Sequence, residues 1–210
     1  MDERLREAAE YGNTGALYTL IQDDADIFRR IEGMEFVDTP LHVAAAAGHT
    51  DFAMEMMNLM SSLVKKLNRR GLTPIHLALQ NEHTDLVVNL LSIDSNLVRV
   101  KAREGYTPLH HVAREGNVPL LSRFLNHCPN SILDSTIRKQ TALHIAVQHN
   151  RFEALEAILQ WIQNTPEDNQ FQRRRILNLQ DKDGNTVLHI SSSNNQHKVT
   201  VLVLVLLIRA

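Results

Sequence analysis

Four stretches of the chain repeat one hydrophobic pattern. Phe52, Ala53, Met56 and Met57 are followed by Leu86, Val87, Leu90 and Leu91, then by Leu120, Leu121, Phe124 and Leu125, and then by Ala154, Leu155, Ile158 and Leu159. Steps of one, three and four residues place such positions on one face of an α-helix. Upstream of three of these stretches lies a shorter helical segment with a small residue at its centre: Ala44, Ala78 and Ala146. Small residues let two helices approach closely. The pattern predicts helix pairs whose apolar faces are buried only when neighbouring pairs stack.

A tetrapeptide opens the first helix of each pair. It reads Thr39-Pro40-Leu41-His42, Thr73-Pro74-Ile75-His76, Thr107-Pro108-Leu109-His110, Thr141-Ala142-Leu143-His144 and Thr186-Val187-Leu188-His189, at intervals of 34, 34, 34 and 45 residues. The last interval is one period plus an 11-residue insertion. A degenerate sixth copy opens the chain, where Ala8-Ala9 and Gly12-Asn13 match Ala44-Ala45 and Gly48-His49. Thr is a good helix cap, and Pro in the first helical position forfeits no needed hydrogen bond. Gly12, Gly48 and Gly116 stand where a left-handed residue would stop the first helix; Asn150 and Asn195 replace them in two copies. Glu82 departs from this rule and is expected to cost stability there. Gly71, Gly105 and Gly184 lie two residues before the Thr and mark turns.

The period of about 34 residues leaves tetratricopeptide and ankyrin repeats open, and the residues decide between them. Thr39-Pro40-Leu41-His42-Val43-Ala44 resembles the ankyrin pattern T-P-L-H-x-A, and the resemblance extends over essentially the whole chain. It implies an all-α ankyrin-repeat solenoid of about six helix-turn-helix repeats with short hairpin-like tips. The repeats would span residues 1–36 as an N-terminal cap, 37–70, 71–104, 105–138, 139–183 with the insertion near 161–177, and 184–210 as a C-terminal cap, in a single domain over residues 1–210. The resemblance also implies a structural role for Thr39 and His42, Thr73 and His76, Thr107 and His110, Thr141 and His144, and Thr186 and His189. Each His would hold its turn by hydrogen bonds with its Thr.

Composition narrows the chemistry. The 210 residues are 43% hydrophobic and 22% charged, an ordinary globular balance rather than that of a disordered tail. One Cys cannot form an internal disulfide, so a reducing, intracellular setting is expected. A net charge of −2 gives no reason to expect nucleic acid. The N-terminal residues Met1-Asp2-Glu3-Arg4 are charged and do not read as a secretory signal. Phosphate-binding, dinucleotide-binding, nucleophile-elbow and zinc-protease motifs are absent from the sequence. No enzyme, catalytic residue, metal, cofactor or small-molecule substrate is expected. Cys128 reads as a packing residue, and two of Ser191, Ser192 and Ser193 fill positions that Ala takes elsewhere.

A repeat protein without convergent polar groups is a binder of protein. The ankyrin resemblance implies a concave face made of the turn tips and the exposed ends of the first helices. On this sequence the tips include Arg69, Arg70, Leu72, Arg103, Glu104, Tyr106, Arg138, Gln140 and Lys182; the helix ends include Gln80, Asn81, Arg114, Gln148 and His149. The tips, counted with Asp183, carry five basic residues and two acidic ones. Two readings stand: a groove for an acidic, partly apolar partner segment, or a solvated basic edge.

The insertion is expected to lengthen one second helix, with a break at Asn164-Thr165-Pro166-Glu167-Asp168 and a short piece over residues 171–177. Arg173-Arg174-Arg175 within it reads as a solvated face or as a contact for lipid head groups. Residues 201–208 are apolar all round, about half of what a spanning helix needs. Such a terminal helix must be covered by another segment, self-associate, or contact a membrane.

Five further segments resemble one branch of plant ankyrin proteins, the "bian da" type of the ankyrin/PGG group. They are Met1-Asp2-Glu3-Arg4-Leu5, Phe36 with the following residues to Ala44, Pro74 to Asn81, Leu97-Val98-Arg99-Val100, and Gly184-Asn185-Thr186-Val187-Leu188-His189. The match runs from residue 1 to about residue 198; the tail departs from it and the group's membrane domain is not matched. The resemblance implies a protein-interaction scaffold in plant defence or stress signalling, cytoplasmic or at the cytoplasmic face of the plasma membrane. The alternative is a membrane-associated regulator acting through the apolar tail.

Overall fold

The computed structural model describes residues 2–164 and 170–209. The chain divides into two compact units, Met1–Arg103 and Glu104–Ala210. Among the described residues the regular elements are all helical.

The first unit contains α1 (Glu3–Glu10), α2 (Thr14–Asp23), α3 (Ile27–Glu32), α4 (Pro40–Ala47), α5 (Thr50–Leu59), α6 (Pro74–Gln80) and α7 (Thr84–Ile93). The first helices pack in succession, α1 on α4 and α4 on α6; the second helices form a layer behind them, α2 on α5 and α5 on α7. Short 3-10 turns at Ser61–Lys65 and Ser95–Arg99 close the pairs. The repeating apolar positions fill the space between layers, and Leu41, Phe52, Met56, Ile75, Leu86 and Leu90 are wholly buried. Each such side chain contributes about 1.5–3 kcal/mol relative to exposure. The six-residue helix α3 takes the place of these 3-10 turns in the first pair; it buries Ile27 and Ile31, one turn apart.

The second unit contains α8 (Pro108–Glu115), α9 (Val118–His127), α10 (Ala142–Gln148), α11 (Phe152–Asn164), α12 (Gln170–Leu177), α13 (Val187–Ser193) and α14 (His197–Arg209). Here α8, α10 and α13 form the front layer and α9, α11 and α14 the back layer. The insertion lengthens α11 to 13 residues and adds α12, which packs on α14. Four of the five residues expected to break α11 lie outside the described residues. Ser191 fills the buried small-residue position of α13, whereas Ser192 and Ser193 are exposed.

The final helix is not apolar all round in its environment. Val199, Val203 and Leu206 are buried against the unit, while Val201, Leu204, Val205 and Ile208 are exposed along one stripe. Removing residues 199–210 would therefore strip the core as well as the stripe. No helix among the described residues is long and apolar enough to cross a membrane.

One further contact sets the spacing of neighbouring pairs. The loop joining the two helices of a pair turns through a left-handed residue, Gly48 at φ 80 in the first full copy. Glu82, Asn150 and Asn195 adopt the same region at φ 61, 55 and 56. The residue after each such position reaches back to the preceding pair. His49 Nε2 donates to the Glu10 carbonyl at 2.8 Å, and His83 Nε2 to Ala46 at 3.0 Å. In the second unit Arg151 Nε donates to Arg114 and Gln196 Nε2 to Val147. The imidazole of His83 lies so close to Gly48 that a Cβ there would stand 2.6 Å from the ring. Gly48→Ala therefore meets both the left-handed backbone and a packed ring. It is expected to lower the unfolding free energy by about 2 kcal/mol or more. Gly33→Ala, where φ is −71 and no atom comes within 3.8 Å, is the control expected to leave it unchanged. Urea denaturation of the two variants measures the contrast.

Candidate functional site

The tips are positioned by the motif histidines. In the first copy Thr39 caps α4, and His42 Nδ1 accepts from Thr39 Oγ1 at 2.7 Å and from the Thr39 N–H at 3.2 Å. The opposite nitrogen, Nε2, donates to the Leu72 carbonyl in the next tip at 3.0 Å. His110 repeats this with Thr107 and the Gln140 carbonyl, and His144 with Thr141 and the Asn185 carbonyl. Thr73 Oγ1 lies 2.6 Å from His76 Nδ1, and Thr186 Oγ1 lies 2.8 Å from His189 Nδ1. His42, His76, His110 and His144 are buried; His189 is exposed.

Three of the tips are also tied internally by a buried polar side chain five residues before the Thr. Asn68 Oδ1 accepts from the N–H groups of Arg70 and Leu72, Thr136 Oγ1 from Arg138 and Gln140, and Asp181 Oδ1 from Asp183 and Asn185. The Asn68 N–H closes the turn onto the Leu72 carbonyl at 2.9 Å. Successive tips join through backbone: the Arg103 N–H donates to Gly71 at 2.7 Å, and the Lys182 N–H to Arg138 at 2.9 Å. The tips are single tight turns rather than strand ladders. These anchors were missed in the sequence. Their signal is a polar residue at one fixed offset, written three different ways and replaced by Ala102 in the third copy.

In the first unit Arg69 and Arg70 line a groove of about 640 Å³. Its floor is apolar, with Val43, Ala46 and Ala47 of α4 and Leu77 of α6; Glu3, Arg6 and Glu10 of α1 line it too. Asp38 belongs to the lining and accepts from Asn68 Nδ2 at 2.8 Å. Leu72 is half-buried, its carbonyl taken by His42. Arg103 is exposed in this unit but is not among the residues lining the groove. Gln80 and Asn81 are exposed at the end of α6, and Asn81 Nδ2 is turned onto the Leu77 carbonyl.

In the second unit Glu104, Arg138 and Lys182 are exposed. Tyr106 is half-buried, its ring tilted against His110 with centroids 5.7 Å apart. Gln140 is a correction to the sequence reading: at 9% exposure it is buried, because its backbone closes the tip and its carbonyl receives His110. Arg114 is held by Glu115 at 2.9 Å. Gln148 and His149 are exposed at the end of α10, and burial together with Arg114 and Arg151 holds the His149 pKa below the ordinary histidine value.

The basic excess of the tips is therefore uneven. In the first unit Arg69, Arg70 and Arg103 have no acidic counterpart within the tip set, and none of the three side chains forms an ion pair among the described residues. In the second unit Arg138 and Lys182 are matched by Glu104 and Asp183. Of the arginines in α12, Arg174 and Arg175 are exposed and Arg173 is half-buried. No group of three or more His, Cys, Asp or Glu side chains suited to a metal ion occurs among the described residues.

The paired helices, the Thr–His caps and the tight tips find their counterpart among known proteins. A family model described as ankyrin repeats in three copies matches residues 5–99 and 89–170. The chain belongs to the ankyrin-repeat family. Over 73 residues it is 42% identical to Ankyrin repeat-containing protein BDA1 of Arabidopsis thaliana. That stretch is 35% of this chain and 17% of the BDA1 chain, so only a small part of the relative is matched.

The capping histidines of this ankyrin chain make its stability depend on pH. Burial lowers the pKa of His42 and His144 from the ordinary 6.5, against the raising effect of the Leu72 and Asn185 carbonyls. Their Nδ1 atoms accept hydrogen bonds and have no room for a proton. The unfolded chain thus binds more protons than the folded one between the lowered pKa and 6.5. Stability is complete above about pH 6.5 and falls as the pH drops below it. Urea midpoints at pH 7.5 and 5.5 are expected to differ, and the difference should shrink in His42→Gln and His144→Gln, which keep a side chain suited to the capping box.

Proposed function

We propose that the chain is a protein-interaction module of plant defence or stress signalling that takes its partner in the groove of the first unit. Ankyrin repeats support the protein-binding part of this reading. The name of the Arabidopsis relative gives the plant context its only support. The observation that carries the choice of site is the position of Arg69 and Arg70, free of ion pairs, beside an apolar floor of Val43, Ala46 and Ala47. An acidic residue of a partner segment meets the two guanidinium groups, and its apolar side chains cover the alanines. Glu3 and Glu10 line the same groove and disfavour a uniformly acidic segment.

The test is partner capture from an Arabidopsis lysate, with captured proteins identified by mass spectrometry. Arg69→Glu/Arg70→Glu is expected to lose about tenfold in affinity for a captured partner, less at high salt. Arg138→Glu/Lys182→Glu is expected to retain it. Circular dichroism shows that both variants are folded. Equal capture by the two variants rejects the groove.

A second reading is favoured by the exposed stripe on α14: membrane contact through Val201, Leu204, Val205 and Ile208. Sedimentation with anionic vesicles that is lost on Val201→Glu/Val205→Glu supports it. These substitutions leave the buried residues of α14 intact, which deletion of the tail does not.

A further inference from the structure

The seam between the α10–α11 loop and the α13–α14 loop differs from the seams of the first unit. There a ring closes each seam: a Cβ on Gly12 would lie 2.7 Å from His49, and one on Gly48 would lie 2.6 Å from His83. In the second unit Asn150 stands in the place of the glycine, in the same left-handed conformation. Its Cβ leaves no room for an imidazole above it, and Gln196 stands where the histidine would be. The Gln196 amide donates to the Val147 carbonyl at 2.9 Å and to Asn150 Oδ1, crossing the seam without filling it. A cleft of about 600 Å³ remains.

The cleft has a floor and a rim of different character. Phe152, half-buried, gives the floor its accessible apolar surface, and Ala146, Val147, Leu155 and Val199 are packed beneath it at 4% exposure or less. Arg151, His197 and Lys198 stand at the rim, and no carboxylate is among the lining residues. Glu115 comes within 4.0 Å of Arg151, but it is held by Arg114 at 2.9 Å, so those three residues together keep one positive charge. Lys198 forms no ion pair among the described residues. The volume falls within the range of about 300–1,000 Å³ usual for small-molecule sites.

We propose that this cleft binds a medium-chain carboxylate, with the acyl chain on the apolar floor and the carboxylate at Arg151 and Lys198. Charge complementarity selects an anion, and the floor selects one with an aliphatic tail. The site is independent of the groove in the first unit, so failure of either leaves the other standing.

The test uses the full chain and sodium decanoate, followed by methyl NMR and calorimetry. Decanoate is expected to bind saturably at one site and to shift the methyl signals of Val147, Leu155 and Val199. Lys198→Glu, at an exposed position, is expected to weaken binding about fivefold. Asn150→Gly/Gln196→His restores the glycine and ring of the first unit; it is expected to abolish binding while leaving the melting temperature unchanged or higher. Three results would overturn the proposal: no saturable binding, shifts elsewhere than these methyl groups, or equal affinity for neutral decanol. Should the double variant fail to fold, undiminished binding to Lys198→Glu still rejects the anionic site.

Discussion

Within each unit the stack depends on a neutral, buried imidazole that works in two directions. One nitrogen accepts from the Thr that starts its own helix; the other donates to a carbonyl in the next tip. The acceptor is backbone, so it constrains the fold of the next tip and not its side chains. That separation explains how tips of one shape carry different chemistry. Leu72 and Gln140 present the same carbonyl to a histidine, yet the residues beside them include Arg69 and Arg70 in one tip and Arg138 and Lys139 in the other. A helix-cap hydrogen bond contributes about 1 kcal/mol, and here it is joined to a second bond that ties neighbouring pairs.

The consequence for recognition is that geometry and specificity occupy different atoms. Buried Asn68, Thr136 and Asp181 fix the turns through N–H groups, while the exposed residues between them face solvent. Surface charge at such positions steers and selects more than it stabilises. The first unit sets Arg69 and Arg70, free of ion pairs, beside small apolar residues in a groove that Glu3, Glu10 and Asp38 also line; the second balances its tip charges. Two halves with near-identical scaffolds thus offer different surfaces.

Much of the scaffold was legible in the sequence because it is periodic. The paired helices, the Thr caps and the left-handed stops all recur at fixed offsets, so each copy reinforces the reading of the others. What does not recur was hidden. Helix α3 stands where the next two pairs have a 3-10 turn, and its extra length rests on Ile31. The tip anchors use Asn, Thr and Asp at one offset, and three residue types do not announce one role. Gln140 looked like a surface residue because its neighbours are polar, but its backbone duties draw it inward. The tail appeared uniformly apolar along the chain, and only its packing separates Val199, Val203 and Leu206 from the exposed stripe. The charge of the candidate site was visible as a total and not as a distribution, since composition does not record which unit holds each arginine.

The contact between Gly48 and the His83 ring crosses the boundary between two repeats. Neither residue is intelligible within its own copy: the glycine is small because of a side chain 35 positions later. Cut at the tips, a repeat carries its own glycine away from the ring that needs it and brings a foreign ring to a foreign loop. Repeats of this chain are therefore not freely interchangeable parts. Transplanting or shuffling them requires matched loop residues on both sides of each junction, and drift at one of these sites opens or forbids change at its counterpart.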